Sequence, residues 1–135
     1  MQAAYPRRER RFFLGRHNMN DTENLGAENG RPPYPGTLTT TDGTGAVVWV
    51  ETHISQGAGA YPITSSTTMG QGYQAAVARG DRNLWGDRLL FMEAESEHSS
   101  ASFCEGFALA GGRATNFTSG QGLALMTEVL YTISG

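Results

Sequence analysis

Three glutamates occur at every second position directly after a short apolar run. The run is Leu89–Met92, and the acids that follow it are Glu93, Glu95 and Glu97. Four apolar residues are too few for a globular helix and are typical of a strand buried on both faces. In parallel α/β units, ligands bind beyond the carboxyl ends of the strands, where Glu97 would lie. On the residues alone, Glu97 is either a functional carboxylate or, the favoured interpretation, a first-turn acid that stabilises a helix dipole.

Two turns rich in hydroxyl groups share a pattern. The triplets Ile63-Thr64-Ser65 and Phe117-Thr118-Ser119 each end a predicted strand, and each is soon followed by Gly-Gln-Gly. A polar strand-to-helix turn with exposed backbone N–H groups suits a ligand at the edge of a sheet. For the first turn, capping of the next helix by Thr67 or Thr68 explains the hydroxyl groups as well, and the residues alone favour that interpretation.

Helical and strand patterns alternate around these residues, which predicts an α/β fold with a parallel sheet between two helical layers. The run Leu89–Met92 is expected to be its central strand. The other predicted elements are a strand at 38–41, a helix from Thr44 to Gln56 capped by Asp42 and ended by Gly57 and Gly59, a strand at 60–64, a helix at 69–78, a polar loop at 80–86, a helix that follows His98–Ser100 and stops at Gly111-Gly112, a strand at 114–117, and a helix at 121–134 with Leu123, Met126, Val129 or Leu130, and Ile133 on one face.

An ordered series of motifs runs from residue 38 to residue 135. It contains T-x-DG, YPIT with a Ser/Thr-rich turn and MG, S-E, paired glycines, T-x-FTS-x-QGL-x-LM, and Y-x-I-x-G. Together these motifs resemble the N-terminal, pyrimidine-binding thiamine-diphosphate domain of the pyruvate:ferredoxin (2-oxoacid:acceptor) oxidoreductases. Each motif alone is weak, but all of them in this order are specific. The resemblance implies a partial three-layer thiamine-diphosphate-binding fold.

The resemblance also implies roles for individual residues. Glu97, the acid of the S-E motif, would be catalytic: it would hydrogen bond to N1′ of the aminopyrimidine ring and so activate the cofactor. Thr64 would bind the substrate carboxylate or contact the pyrimidine region. No residue of this chain would bind a metal. The implied cofactor-binding residues are Pro62, Ile63, Glu97, Phe117, Thr118, Ser119 and Gln121.

The function implied is oxidative decarboxylation of a pyruvate-type 2-oxoacid, with coenzyme A as co-substrate and ferredoxin or flavodoxin as electron acceptor. The sequence has neither the metal-binding motif of thiamine enzymes nor the cysteines of an iron–sulfur cluster. Mg²⁺ and the clusters are therefore expected on other domains or subunits of a dimeric enzyme. We expect a truncated or split part of that enzyme, inactive in isolation. The alternative is a non-catalytic remnant or assembly module of the same fold.

Length and composition restrict the other possibilities. A chain of 135 residues is one domain at most, here divided into a poorly ordered arm at 1–37, or a strap on a partner subunit, and a domain at 38–135. The net charge of -3 and the absence of lysine provide no basic face for nucleic acid. No apolar run approaches the ~20 residues of a membrane span. The single Cys104 indicates a reducing, cytoplasmic location.

Three other kinds of site have weaker support in the sequence. A metal could bind Glu93, Glu95, His98 and Glu105, but a helical spacing of seven between the last two is unfavourable. A pair of carboxylates could form a glycosidase site, but no other feature of the sequence supports this interpretation. Cys104 and His98 could form a nucleophilic dyad, although Cys104 lies on the apolar part of its helix and is expected in the core.

Overall fold

The computed structural model describes residues 39–135. The predicted arm at 1–37 and the first residue of the predicted strand at 38–41 lie outside the described residues. Within 39–135, no helix is long and apolar enough to cross a bilayer.

Three parallel strands form the sheet. They are β1 (Gly57–Ala60), β2 (Leu90–Glu93) and β3 (Ala114–Phe117), arranged in the order β2-β1-β3. The strands are in register, so that Ala60 lies beside Glu93 on one side and beside Phe117 on the other. All three strands therefore end at the same level. We call this end of the sheet, marked by Ala60, Glu93 and Phe117, the carboxyl edge.

Helices cover both faces of the sheet and complete the expected three-layer α/β architecture. Helix α2 packs against the strands on one face, and α1 packs against α2. Helix α3 packs on the other face of the sheet, and α4 and α5 pack against α3. The helices are α1 (Gly43–Ile54), α2 (Thr67–Arg79), α3 (Glu97–Leu109), α4 (Gly120–Leu125) and α5 (Thr127–Ser134).

The core between α2 and the sheet is built around Tyr73, which is fully buried. Its ring lies 6.4 Å from that of Phe91 in β2 and 6.0 Å from that of Phe117 in β3, measured between ring centroids. The Tyr73 hydroxyl shares a 2.8 Å hydrogen bond with Ser55, which satisfies its polar end inside the core. Tyr73 thus fixes the position of α2 over all three strands.

The central strand is β1, and its location differs from the prediction. Gly57 and Gly59 were expected to end a helix, with a strand at 60–64, but both glycines lie inside the strand. A Cβ atom at Gly59 would lie 2.7 Å from Ser100 Oγ and 3.0 Å from the Ser100 carbonyl oxygen, and one at Gly57 would lie 3.1 Å from the Phe107 ring. The small residues allow α3 to approach the backbone of β1 closely, a role of strand glycines that the pattern did not reveal.

The predicted central strand is an edge strand. The run around Leu90 is parallel to its neighbour, as expected, but it pairs only with β1 in the described sheet. Leu90 and Met92 are 56% and 43% exposed, because α3 lies mainly over β1 and β3. The expectation of burial on both faces was therefore wrong. An apolar run alone does not show which of its faces a neighbouring helix covers.

The helix N-termini agree with the predictions in part. Residues 39–42 have no regular structure, so the prediction of a strand there is wrong for the described residues. Asp42 caps α1, as predicted, because its carboxylate accepts a 2.6 Å hydrogen bond from the Gly45 amide. Helix α2 starts at Thr67 rather than Met69. Ser66 occupies its N-cap position, and the Thr67 hydroxyl donates to the carbonyl of Ile63 at 2.8 Å.

The predicted last helix is divided in two at Met126, which has left the helical conformation. Met126 and Val129 are buried against Ala101 of α3, as their spacing suggested. Leu123 and Ile133 from the same predicted face are more than half exposed. The break turns α5 so that only part of the apolar face meets α3.

Candidate functional site

The crossover connections diverge at the carboxyl edge. The connection after β1 leads to α2 on one face of the sheet, whereas those after β2 and β3 lead to α3 and α4 on the other face. Connections that diverge from neighbouring strands leave room for a ligand beyond the strand ends. The segments at this edge, 61–66, 94–97 and 118–121, contain every predicted site residue except Phe117, which ends β3.

Glu97 is the first residue of α3 and is only 6% exposed. A reciprocal capping box fixes this turn: Ser96 Oγ accepts from the Ser99 amide at 3.1 Å, and Ser99 Oγ accepts from the Ser96 amide at 3.0 Å. Among residues 39–135, no group donates a hydrogen bond to the Glu97 carboxylate, and no polar side-chain atom is sealed from solvent without a partner. Glu97 thus lies on a fixed backbone turn, and its carboxylate is an acceptor that can take a donor from a ligand.

The turn between β3 and α4 lies against Glu97. A Cβ atom at Gly122 in α4 would lie 2.6 Å from Glu97 Cγ and 3.2 Å from Glu97 Oε1, and it would also meet the Thr118 hydroxyl. The structure therefore brings two of the predicted site residues, Glu97 and Thr118, together. Phe117 is placed differently, because its ring is buried against Tyr73 in the core.

Ser119 and Gln121 extend the polar surface at the start of α4. Ser119 Oγ donates a hydrogen bond to Gln121 Oε1 at 3.2 Å, and the Ser119 carbonyl accepts from the Leu123 amide at 2.8 Å. Gln121 is exposed and Ser119 is half-buried. Both side chains are accessible from the carboxyl edge.

The turn after β1 places Pro62, Ile63 and Thr64 at the same edge, on the side of the sheet that α2 covers. The Ile63 carbonyl accepts hydrogen bonds from the amides of Ser66 and Thr67, which ties the turn to the start of α2. Thr64 is exposed, and no group in the described part of the chain bonds to its hydroxyl. A cleft of about 220 Å³ lies between this turn, β2 and α2, and it includes Pro62. It is smaller than the roughly 300–1,000 Å³ of complete small-molecule pockets.

The alternative sites are not assembled in the structure. Glu93 and Glu95 are exposed, and within residues 39–135 no three His, Cys, Asp or Glu residues are close enough to hold a metal ion. His98 contacts Glu128 of α5, with 3.4 Å between Nε2 and Oε2. Cys104 instead points to the sheet and donates to the Thr115 carbonyl at 3.3 Å. The Cys104–His98 dyad is therefore absent from the described residues.

Burial also makes Cys104 unsuitable as a nucleophile. Removal from water raises the pKa of the Cys104 thiol above its ordinary value, and a hydrogen bond from the Gly59 backbone offsets this only in part. The thiolate is the reactive form of cysteine, so a raised pKa reduces reactivity at neutral pH. Cys104 is a packing residue between α3 and the sheet.

Sequence reasoning did not assign separate roles to two residues of this region, Gly122 and Asn116. Gly122 leaves the space that Glu97 occupies, and Asn116 accepts a 3.1 Å hydrogen bond from Ser100. A glycine inside a helix is unfavourable and so signals a spatial requirement. Nothing in the local pattern around Asn116 indicated its partner, which is sixteen residues away.

Comparison with known proteins agrees with this geometry. The sequence profile of the family described as "Pyruvate flavodoxin/ferredoxin oxidoreductase, thiamine diP-bdg" matches residues 50–135, well over half of the chain. The chain belongs to this family. Its members bind thiamine diphosphate in the matched domain, in agreement with the motifs found at the carboxyl edge.

Individual relatives match the same region. The chain is 39% identical over 101 residues to a pyruvate-flavodoxin oxidoreductase of Enterobacter agglomerans, a match that covers 75% of this chain and 9% of the relative. It is 37% identical over 100 residues to that of Klebsiella pneumoniae, covering 74% and 8%. It is 38% identical over 96 residues to the pyruvate:ferredoxin oxidoreductase of Moorella thermoacetica, covering 71% and 8%. The chain thus spans less than a tenth of the length of these relatives.

The residues of this family member fit one end of thiamine diphosphate. Glu97 provides a largely buried carboxylate without an intramolecular donor among residues 39–135, which suits a protonated ring nitrogen. Thr118 lies beside it, and the polar groups of Ser119 and Gln121 follow at the start of α4. The diphosphate end requires a divalent cation, and the described residues contain no group of three or more His, Cys, Asp or Glu side chains that could hold one. The fit therefore concerns the aminopyrimidine end.

Proposed function

We propose that this chain supplies the aminopyrimidine side of the active site in a thiamine-diphosphate-dependent oxidoreductase. The reaction is the oxidative decarboxylation of a pyruvate-type 2-oxoacid with ferredoxin or flavodoxin as electron acceptor. Family membership and the names of the relatives support the reaction class. The observation that carries the proposal is the Glu97 carboxylate at the carboxyl edge, which is largely buried and begins a helix whose first turn is fixed by a capping box.

Thiamine diphosphate, when bound, supplies the electron sink for decarboxylation. Glu97 has the role of a proton-sharing partner for N1′ of the aminopyrimidine ring. Its low exposure strengthens this hydrogen bond, because the local dielectric constant is below that of water. The capping box fixes the backbone at Glu97 and so limits the directions from which the ring can approach.

The remaining site residues bind the substrate and orient the aminopyrimidine ring. The exposed Thr64 hydroxyl donates to the substrate carboxylate, since no group in residues 39–135 competes for it. Thr118, Ser119 and Gln121 line the pyrimidine on the side of β3. Pro62 and Ile63 contribute mainly backbone, because the turn that contains them is tied to α2. Phe117 supports this side from within the core rather than through direct contact.

Other domains or subunits complete the enzyme in this proposal. An iron–sulfur cluster needs several cysteine ligands, and the sequence has one cysteine. The clusters, Mg²⁺ and the coenzyme A site are therefore supplied by other domains or chains in a dimeric, cytoplasmic enzyme. The isolated chain is inactive in oxidative decarboxylation for the same reason.

One observation is also compatible with a second role, as a non-catalytic assembly module of the same fold. Leu90 and Met92 on the edge strand and Leu125 and Tyr131 on the last two helices are largely exposed. Exposed apolar surface of this kind is typical of protein interfaces. Such surfaces suit both a catalytic part that joins other domains and a module that only assembles with them.

Titration of the isotope-labelled chain with thiamine tests the proposed site. We expect saturable NMR shifts confined to the amides near Glu97 and of residues 118–122. Thiamine has no diphosphate to anchor it, so its affinity depends on contacts with the aminopyrimidine ring. Glu97→Gln should therefore weaken thiamine binding strongly. Glu95→Gln is the matched control, because Glu95 is exposed and two residues away. Equal effects of the two variants, or shifts elsewhere on the chain, would contradict the proposal.

A further inference from the structure

Helices α3 and α4 are in close contact where Glu97 lies beside Gly122. Gly122 is buried, and a Cβ atom there would lie 2.6 Å from Glu97 Cγ, closer than real Cβ contacts occur. Thr118 would also meet the Cβ position, with its terminal hydroxyl group. Cγ lies in the middle of the Glu97 side chain, so it can move only if the whole carboxylate moves with it.

The reason for a glycine at this position is space rather than backbone conformation. Gly122 lies within α4 and does not have the positive φ that favours glycine at Gly80, Gly86 and Gly111. Glycine also weakens a helix relative to alanine. At Gly120, in the same helix, a Cβ atom would have no neighbour within 4 Å, so Gly120 does not share this requirement.

We propose that Gly122 is a positioning residue for the Glu97 carboxylate. The missing side chain lets α4 close over Glu97, and the closed helix then holds the carboxylate at the carboxyl edge. This inference rests on the proposed function of Glu97 and adds the element that sets its orientation. Glu97 and Gly122 are twenty-five positions apart in the sequence, so the contact arises only from the fold.

Carboxyl labelling of the full chain tests the positioning directly, without cofactor. A carbodiimide with an amine nucleophile modifies accessible carboxylates, and mass spectrometry reports each site. In the unsubstituted chain, we expect Glu97 to be modified much more slowly than the exposed Glu95. Gly122→Ala should raise the Glu97 rate to near that of Glu95, whereas Gly120→Ala should leave it unchanged. An unchanged Glu97 rate in folded Gly122→Ala, or an equal rise in both variants, would overturn the proposal.

A double-mutant cycle, measured by thermal unfolding, covers the case in which Gly122→Ala unfolds the chain. If the clash with Glu97 is the cause, Gly122→Ala should lower the Tm by about 4–8 °C or more, a shift typical of clear destabilisation in a domain of this size. The same substitution in a Glu97→Ala background should lower it less, because the clash with Cγ is gone and only the contact with Thr118 remains. Equal losses in the two backgrounds would show that Glu97 is not positioned by Gly122.

Thiamine titration separates this inference from the proposed function. If the unsubstituted chain binds thiamine at Glu97 and Gly122→Ala releases both the carboxylate and the ligand, both are supported. If labelling changes as expected but the unsubstituted chain shows no thiamine shifts near Glu97, the proposed function fails while the contact itself is confirmed. If thiamine binds normally to Gly122→Ala, the positioning role is overturned and the proposed function stands.

Discussion

The hydroxyl of Ser100 donates a hydrogen bond to the side-chain oxygen of Asn116 over 3.1 Å. Ser100 is fully buried and lies one turn after Glu97 in α3, and Asn116 lies two residues before Thr118 in β3. The bond therefore joins the helix that carries Glu97 to the strand that leads to Thr118. It is one of the contacts that set the distance across the candidate site.

Removal of this hydrogen bond should destabilise the fold. Ser100→Ala leaves the Asn116 oxygen without its partner, and we expect a loss of about 1–3 kcal/mol in the free energy of unfolding. Ser102→Ala is the matched control, because Ser102 is exposed on the same helix, and its effect should be within about 0.5 kcal/mol. Urea denaturation measures both. A similar loss in the two variants would show that the bond to Asn116 contributes little.

The close approach of α3 to β1 predicts a second stability difference. A Cβ atom at Gly59 would press on Ser100, so Gly59→Ala should cost about 1–3 kcal/mol. Gly106 lies in α3 with no atom within 4 Å of a Cβ position, and Gly106→Ala should stabilise the chain by about 0.5–1 kcal/mol. The same denaturation experiment compares them. Stabilisation by both substitutions would mean that the strand has more room than the structure indicates.

Cys104 should titrate above the ordinary range of a thiol. Because burial raises its pKa, the folded chain keeps the proton at a pH where the unfolded chain has released it. Its contribution to stability is therefore complete below the usual thiol pKa of about 8.5 and is lost as the pH rises through the folded value. The rate of alkylation against pH measures this. Reaction of the native chain at or below the pH of an unfolded control would contradict the assignment as a packing residue.

The isolated chain should show no oxidative decarboxylase activity. Even when it is supplied with thiamine diphosphate, Mg²⁺, coenzyme A, pyruvate and an electron acceptor, it has no group of three His, Cys, Asp or Glu side chains for the metal among residues 39–135. It also has only one cysteine, and an iron–sulfur cluster needs several. A full-length relative, assayed in parallel, provides the positive control. Turnover by the chain alone above the rate without protein would contradict the proposal that other domains complete the site.

Some elements could be predicted from the sequence because local chemistry determines them. Strand β3 has the predicted bounds, since it lies between paired glycines and a polar turn. The cap of α1 at Asp42 was predicted for the same reason, as a carboxylate before a helical pattern. These features depend on neighbouring residues, which the sequence displays.

The features that were mispredicted depend on distant residues. Gly57 and Gly59 have low strand propensity and form the central strand only because α3 packs on them. The apolar run at Leu90 could not show that α3 covers the neighbouring strands instead. The contact between Glu97 and Gly122 likewise joins separate segments. For Glu97 itself, its strand-end position and the family motif led to the candidate role, which stays a prediction until proton exchange on the cofactor is measured.

Exchange of the C2 proton of bound thiamine diphosphate tests the role of Glu97 most directly. Residues 50–135 replace the matching segment of a full-length relative, and the unsubstituted chimera must bind the cofactor and exchange the proton. We predict that Glu97→Gln retains cofactor binding through the diphosphate end but slows exchange by about 10²–10⁴-fold, because an amide cannot share a proton with N1′ as a carboxylate does. Glu95→Gln should exchange at nearly the unsubstituted rate. Slow exchange in Glu95→Gln, or normal exchange in both variants, would contradict the assignment of Glu97 as the activating acid.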